Sequence, residues 1–247
     1  MTAVDLAIIM AAFGFAGLVK GTTGLGFSTT AVAPLALVFG LTTALPLLIV
    51  PSLTSNVMVM VDAGHFRTTL RRFWPMYACA IPGVVCGLAL LVWLDGVIAG
   101  ACLGVVLAVY GLWMLRTRPA PPLPDRLARR LAPPVGFVTG TVNGLTGSQV
   151  MPVLPFLLAM RLDPDRFVQA MNISFSVSTV VMTLGLWRVG FLTVETLVIS
   201  IAGIVPVFIG TWSGGRLRRR LPPEVFRRFV LILLIVLGAV LIGRAVG

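Results

Sequence analysis

The residue with the most distinctive chemistry is Lys20, the only lysine in the chain. It lies in the stretch GLVKGTTGLGFS, residues 17–28, between two apolar runs. Glycines expose backbone N–H groups and a helix N-terminus carries partial positive charge, so this patch is suited to an oxyanion. The glycine spacing fits neither a Walker loop nor a dinucleotide loop. The candidate anion-binding residues here are Lys20, Thr22, Thr23, Gly24, Gly26 and Ser28.

A second polar patch, GTVNGLTGSQ at residues 140–149, repeats the first with Thr139 at the position of the lysine. Its amide and hydroxyl groups are neutral donors that could complete the coordination of an anion without adding charge. Two apolar stretches, PSLTSN (51–56) and NISFSVST (172–179), also carry polar groups at matching places. The further candidates are Asn56, Asn143, Gly144, Thr146, Ser148, Gln149 and Asn172.

Both patches also have a purely structural interpretation. Lys20 could be one more charge that fixes membrane topology, with its ammonium reaching the membrane surface. Gly17-x3-Gly21 and Gly136-x3-Gly140 match the small-residue spacing through which membrane helices pack closely. The sequence leaves both interpretations open.

The amino-acid composition indicates whether these patches lie in a soluble protein or in a membrane protein. Of the 247 residues 58% are hydrophobic and only 11% are charged, and the mean hydropathy is +1.04. Such a chain cannot bury its apolar surface in a water-soluble core, so an all-α polytopic membrane protein is predicted, surrounded by membrane lipid. The net charge of +11 comes from arginines in short loops, which is typical of cytoplasmic loops and argues against nucleic-acid binding.

An enzyme is not expected. His65 stands alone, the carboxylates are few and scattered, and no serine lies in a GxSxG or SxxK frame. The sequence therefore predicts no catalytic residue, no cofactor and no metal site.

Six apolar runs are long enough to cross a bilayer, at about 20 residues each. They are residues 42–61, 73–94, 97–115, 168–187, 191–214 and 225–243. Residues 4–40 and 133–160 are apolar but interrupted by the polar patches, which predicts two pairs of half-helices of about 13 to 16 residues each, re-entrant or thinly spanning. About eight membrane segments result.

The two halves resemble each other at low identity. From Pro34 to Arg67 the first half matches the second at a constant offset of 121. Residues 1–115 are predicted as one membrane repeat, 116–132 as a cytoplasmic basic and proline-rich linker, and 133–247 as a second repeat. Sixteen of the eighteen arginines fall in loops that can share the cytoplasmic side only if each half crosses an odd number of times. Inverted repeats of this kind are typical of secondary transporters.

The stretches KGTTGLGFSTTAVAPL (20–35) and GTVNGLTGSQVMPVLPFLL (140–158) resemble the TauE/SafE-type sulfite exporters, also called the toluene sulfonate uptake permease family. The resemblance implies a carrier that moves sulfite or organosulfonates across the inner membrane, most simply as an exporter. Relatives often read SGPP in the second segment, where this chain has Gly147-Ser148-Gln149 followed by Pro152. Alternatives are a carrier or channel for another small anion such as a carboxylate, and a membrane assembly subunit that transports nothing. Oligomeric state is not predicted.

Overall fold

A computed structural model describes residues 1–116, 122–217 and 223–246, with only the backbone described for 223–227. All regular secondary structure in these ranges is α-helical. The helices are α1 Ala3–Thr23, α2 Phe27–Phe39, α3 Leu41–Ala63, α4 Phe66–Trp93, α5 Gly96–Arg116, α6 Asp125–Thr146, α7 Val153–Ala159, α8 Pro164–Arg188, α9 Val194–Ala202, α10 Ile204–Leu217 and α11 Pro223–Val246.

Seven stretches of the described chain are long and apolar enough to cross a membrane. They are α1, α3, α4, α5, α8, the nearly continuous pair α9 and α10, and the described part of α11. Helix α6 has a comparable length of 22 residues, but Arg126, Arg129 and Arg130 lie in its first turns. The chain is therefore a multi-pass, all-α membrane protein, as its composition predicted, and each of the six long runs is found as helix.

The two predicted interruptions are present, but the helices around them are unequal. Gly24 and Gly26 adopt φ of 78° and 85°, and Gly147 adopts φ of 72°, a left-handed conformation that favours glycine and ends a helix. Helix α1 has 21 residues and α6 has 22, whereas α2 has 13 and α7 only 7. The predicted length of about 13 to 16 residues is found for α2. It was wrong for α1 and α6, which continue as far as their left-handed glycines, and for α7, which is shorter.

Of the linker predicted at 116–132, residues 125–132 belong to helix α6. Residues 117–121 of that segment lie outside the described residues, as do residues 218–222 of the predicted basic loop 216–228. The division into two repeats stays a prediction.

Contacts at the helix ends show at which end of the bundle each predicted half begins. At one end of the bundle, the Met1 amino group pairs with Glu195 at 2.8 Å, and Arg244 donates to the Leu37 carbonyl at 2.6 Å. At the other end, Arg72 pairs with Asp125 at 2.9 Å. The first helix of one half thus begins at one end and the first helix of the other half, α6, begins at the opposite end. Inverted repeats require this arrangement, which favours that prediction without establishing the repeat.

In the predicted division, the first helix of each half packs against a helix of the other half. Helix α1 packs against α10 and α6 packs against α4, while α5 packs against α11. Glycines make these contacts: a Cβ on Gly21 would lie 2.1 Å from the Thr211 carbonyl oxygen, and one on Gly140 would lie 2.3 Å from the Ala80 carbonyl oxygen. The packing interpretation of the two GxxxG matches is therefore confirmed.

Helices α3 and α8 pack against each other in the centre, and each contacts helices of both halves. The two interruptions, between α1 and α2 and between α6 and α7, lie against this central pair through the hydrogen bonds described below. The fold thereby brings both polar patches and both polar helix stretches to one region.

Candidate anion site

Lys20 lies in the last turn of α1, and its side chain is buried, with 1% of the residue exposed. Its ammonium donates to the Ser55 hydroxyl at 3.1 Å and to the Asn56 side-chain oxygen. Both partners are neutral, and the ion pairs found in the described residues do not include Lys20. With 1% of the residue exposed, Lys20 is enclosed by protein, which argues against the interpretation in which its ammonium reaches the membrane surface.

The first interruption brings α2 against α3. Ser28, in the first turn of α2, shares a hydrogen bond of 2.8 Å with Ser52 of α3. Thr29 lies 3.4 Å from Ser148, oxygen to oxygen, so the interruption in one half touches the interruption in the other. The two patches form a single polar region rather than two separate ones.

The second interruption is held by α8. Gln149 donates from its side-chain nitrogen to the Thr179 hydroxyl at 3.1 Å. The Thr179 hydroxyl donates in turn to the Phe175 carbonyl at 2.8 Å. These two hydrogen bonds orient the side-chain amide of Gln149, a residue that is only 6% exposed.

Two small cavities lie between the interruptions. One, of about 10 Å³, is lined by residues that include Lys20, Asn56 and Gln149. The other, of about 20 Å³, is lined by residues that include Asn143 and again Gln149. Ser28 lines both. Each has room for about one water molecule, so the polar region is closed tightly in this conformation.

Several buried amides near these cavities have no hydrogen-bond partner in the described structure. Both side-chain atoms of Asn143 and the Asn56 side-chain nitrogen are unsatisfied, and the two residues are each 1% exposed. An unsatisfied buried amide costs about 1 to 3 kcal/mol. The same region holds the Lys20 ammonium, which forms none of the ion pairs found in the described residues. Such groups are suited to a polar ligand that donates and accepts hydrogen bonds.

The structure brings six of the predicted site residues to the cavity walls and a seventh beside them. The six are Lys20, Gly26, Ser28, Asn56, Asn143 and Gln149, and the seventh, Ser148, reaches Thr29.

The other predicted residues have local roles. Thr22 and Thr23 both donate to the Val19 carbonyl, and Thr146 donates to the Val142 carbonyl. These three hydroxyls are occupied by their own helices. Asn172 donates from its side-chain nitrogen to the Val168 carbonyl, whereas its side-chain oxygen is buried without a partner in the described structure.

Two predicted glycines are explained by conformation and packing. Gly24 ends α1 in the left-handed conformation. A Cβ on Gly144 would lie 2.3 Å from the Val84 carbonyl oxygen. Gly144 therefore belongs to the contact between α4 and α6 and does not face the cavities.

Ser52, Ser55 and Thr179 were not predicted as individual site residues, although the polar stretches 51–56 and 172–179 contain them. Helical spacing carried the signal. Ser52, Ser55 and Asn56 stand at i, i+3 and i+4, which places them on one face of a helix.

A larger, mainly apolar cavity of about 190 Å³ adjoins the polar region. It shares Gly26 and Thr29 with the Lys20 cavity. Its other walls include Tyr110, Leu154 and Leu234, from three different helices. The polar region is thus bordered by an apolar space that could hold part of a ligand.

The family model described as sulfite exporter TauE/SafE matches residues 9–241, a range that contains both interruptions and the polar stretches of α3 and α8. No curated protein and no solved structure matches the chain.

Proposed function

The chain belongs to the sulfite exporter TauE/SafE family of membrane transporters for sulfur-containing anions, and we propose that it is a secondary transporter that exports sulfite or a small organosulfonate across the inner membrane. The observation that carries this proposal is Lys20, whose buried ammonium is hydrogen-bonded, within the described parts of the chain, to the neutral oxygens of Ser55 and Asn56 alone. A charged group at membrane depth costs at least about 2.5 to 3.5 kcal/mol. A bound anion would supply the missing countercharge.

The donors around Lys20 suit an oxyanion with several oxygens. Ser28 and Gln149 line both small cavities, and Asn56 and Asn143 hold unsatisfied side-chain nitrogens. These groups come from both halves of the chain. Relative movement of the halves would therefore change the site from both sides, as alternating access requires.

The adjoining apolar cavity bears on the choice between the two cargoes. At about 190 Å³ it exceeds the roughly 150 Å³ of an apolar cavity that holds benzene. A sulfonate group at Lys20 could place a short alkyl or aryl group there, whereas sulfite has no such group. The cavity therefore supports an organosulfonate as one cargo that must be compared with sulfite.

Flux into liposomes tests the proposal. Purified protein would be reconstituted, and the uptake of labelled sulfite, an arylsulfonate and a small carboxylate would be measured, with protein-free liposomes as control. We expect saturable flux of a sulfur anion and counterflow when unlabelled anion is placed inside. Linear flux without counterflow would identify a channel, and flux of carboxylate alone would identify another cargo. The absence of flux for every anion would support an assembly subunit.

A further inference from the structure

A groove of about 540 Å³ lies at the arginine-rich end of the bundle, away from the polar region around Lys20. It runs between the first turns of α4 and α6, with Met160 after α7 at its edge. Volumes of about 300 to 1,000 Å³ are usual for ligand sites. Nothing in the proposed transport function uses it.

The groove is positively charged. Arg71, Arg72 and Arg129 line it together with one carboxylate, that of Asp125. Arg72 and Asp125 pair with each other at 2.9 Å. Arg71 and Arg129 take part in none of the ion pairs found in the described residues, so two guanidinium groups remain for an external anion.

The remaining walls are apolar and continue towards lipid. Phe73, Pro75, Ala128 and Ala132 line the groove with Trp74, which is 61% exposed. On the same face of α4, Ile81 and Val85 are exposed by 44% and 58%. An exposed tryptophan beside arginines at the end of an apolar helix is typical of the membrane interface.

We propose that this groove binds the phosphodiester headgroup of an anionic phospholipid, with Arg71 and Arg129 on the phosphate and the acyl chains along the exposed apolar face of α4. Guanidinium groups pair well with phosphate oxygens. Basic pockets between membrane helices on the cytoplasmic side are suited to anionic headgroups, and each arginine near the membrane surface contributes about 1 kcal/mol. That value corresponds to about fivefold in affinity.

Lipid selectivity of the purified protein tests the proposal. Protein in mixed micelles would be offered phosphatidylglycerol or phosphatidylcholine, and the bound lipid would be counted by native mass spectrometry. Wild-type protein should retain phosphatidylglycerol selectively. The variant Arg71→Gln/Arg129→Gln, which keeps the Arg72–Asp125 pair, should lose tenfold or more of that preference.

The matched control is Arg126→Gln/Arg130→Gln, which removes the same charge from exposed positions of α6 that do not line the groove. Its lipid preference should stay within about twofold of wild type. Equal losses in both variants would show general charge attraction and overturn the groove as a site. Equal competition by inorganic phosphate would overturn the assignment to lipid.

Fluorescence quenching of wild-type protein tests the proposal even if a variant does not fold. Brominated phosphatidylglycerol should quench tryptophan fluorescence more than brominated phosphatidylcholine, because Trp74 lines the groove. Wild-type protein without any selectivity by either measurement would overturn the proposal.

Discussion

At Lys20, an ammonium is held inside the bundle by two neutral oxygens, those of Ser55 and Asn56. Neutral partners orient the group but leave its charge uncompensated. In the proposed function the transported anion supplies this countercharge, and it enters and leaves as the transport cycle requires.

Replacing this charge should weaken anion binding more than it affects folding. Lys20→Gln is expected to cost about 1.5 to 3 kcal/mol, the usual contribution of a hydrogen bond to a charged group, or tenfold or more in Kd. Lys20→Arg should retain part of the affinity because it keeps the charge but not the compact ammonium geometry. Isothermal titration of purified protein with sulfite and with an arylsulfonate measures both.

Arg188→Gln is the control for that change, since it removes one positive charge from an exposed position at the end of α8. Its anion affinity should equal that of wild type. Wild-type affinity in Lys20→Gln protein would refute the anion site.

Asn143 gives a prediction in which stability and binding change differently. Asn143→Leu replaces an unsatisfied amide by an apolar group of similar size, so thermal stability without ligand should be unchanged or higher. Anion affinity should fall, because Asn143 lines the cavity.

Gln169→Leu is the matched control for Asn143→Leu. The Gln169 amide is also buried and unsatisfied, but Gln169 lines neither small cavity. Anion affinity should therefore be retained in this variant. Unchanged binding in Asn143→Leu would remove that residue from the site.

Residue chemistry predicted part of this site from sequence. A single lysine among glycines is conspicuous, and so are Ser28 and Gln149 beside the interruptions. The roles of Thr22, Thr23 and Thr146 could not be predicted, because a hydroxyl in a helix donates either to its own backbone or to a ligand. Only the side-chain rotamer decides between these partners.

At the level of elements, the pairs α1 with α10 and α4 with α6 are held by glycines on both helices. A Cβ on Gly87 would lie 2.1 Å from the Thr141 carbonyl oxygen, and one on Gly210 would lie 2.2 Å from the Gly14 carbonyl oxygen. Backbones this close allow no larger residue without moving a helix. The glycines therefore keep fixed the helices that end at the two interruptions.

Alanine at these glycines should lower stability. Gly87→Ala and Gly140→Ala are each expected to cost about 1 to 3 kcal/mol through overpacking. The control Gly243→Ala lies in a helix with no atom within 4 Å of the added Cβ, and it should have little effect or a small gain from helix propensity. Thermal unfolding in detergent micelles measures the difference. Equal midpoints for all three variants would show that the close contacts are not needed.

Hydropathy was sufficient to locate the long helices, because a run of about 20 apolar residues has few alternatives. It could not assign α6, whose first turns carry Arg126, Arg129 and Arg130. Which helices pack together was also not predicted. The GxxxG spacings of α1 and α6 were evident, but nothing in the local sequence identifies Gly83 and Gly87 of α4 as the partners of α6.

On the scale of the whole molecule, the contacts place Met1, Leu37, Glu195 and Arg244 at one end, opposite the pair Arg72–Asp125. By the positive-inside rule, we expect the arginine-rich end to be the cytoplasmic one. We therefore expect both termini to face the outside.

Labelling with an impermeant thiol reagent tests this orientation. The variants are made in protein from which Cys79, Cys86 and Cys102 have been removed. Asp95→Cys should react from outside in intact cells, because Asp95 lies between α4 and α5 at the end of the bundle that holds both termini. His65→Cys, between α3 and α4, should react only after the membrane is opened. The reverse pattern would invert the assigned topology, and reaction of both from outside would contradict a single crossing by α4.

The exchange of first helices between the halves has a consequence for biogenesis. Gly21 of α1 packs on Thr211 of α10, so α1 leaves the ribosome about 190 residues before its partner. At about 5 to 20 residues per second, that interval is roughly 10 to 40 s. During that time we expect α1 to lie in the bilayer with its glycine face uncovered and Lys20 without its final hydrogen-bond partners. A nascent chain released before α10 is made would expose this surface, and we expect insertion factors and membrane proteases to act on it there.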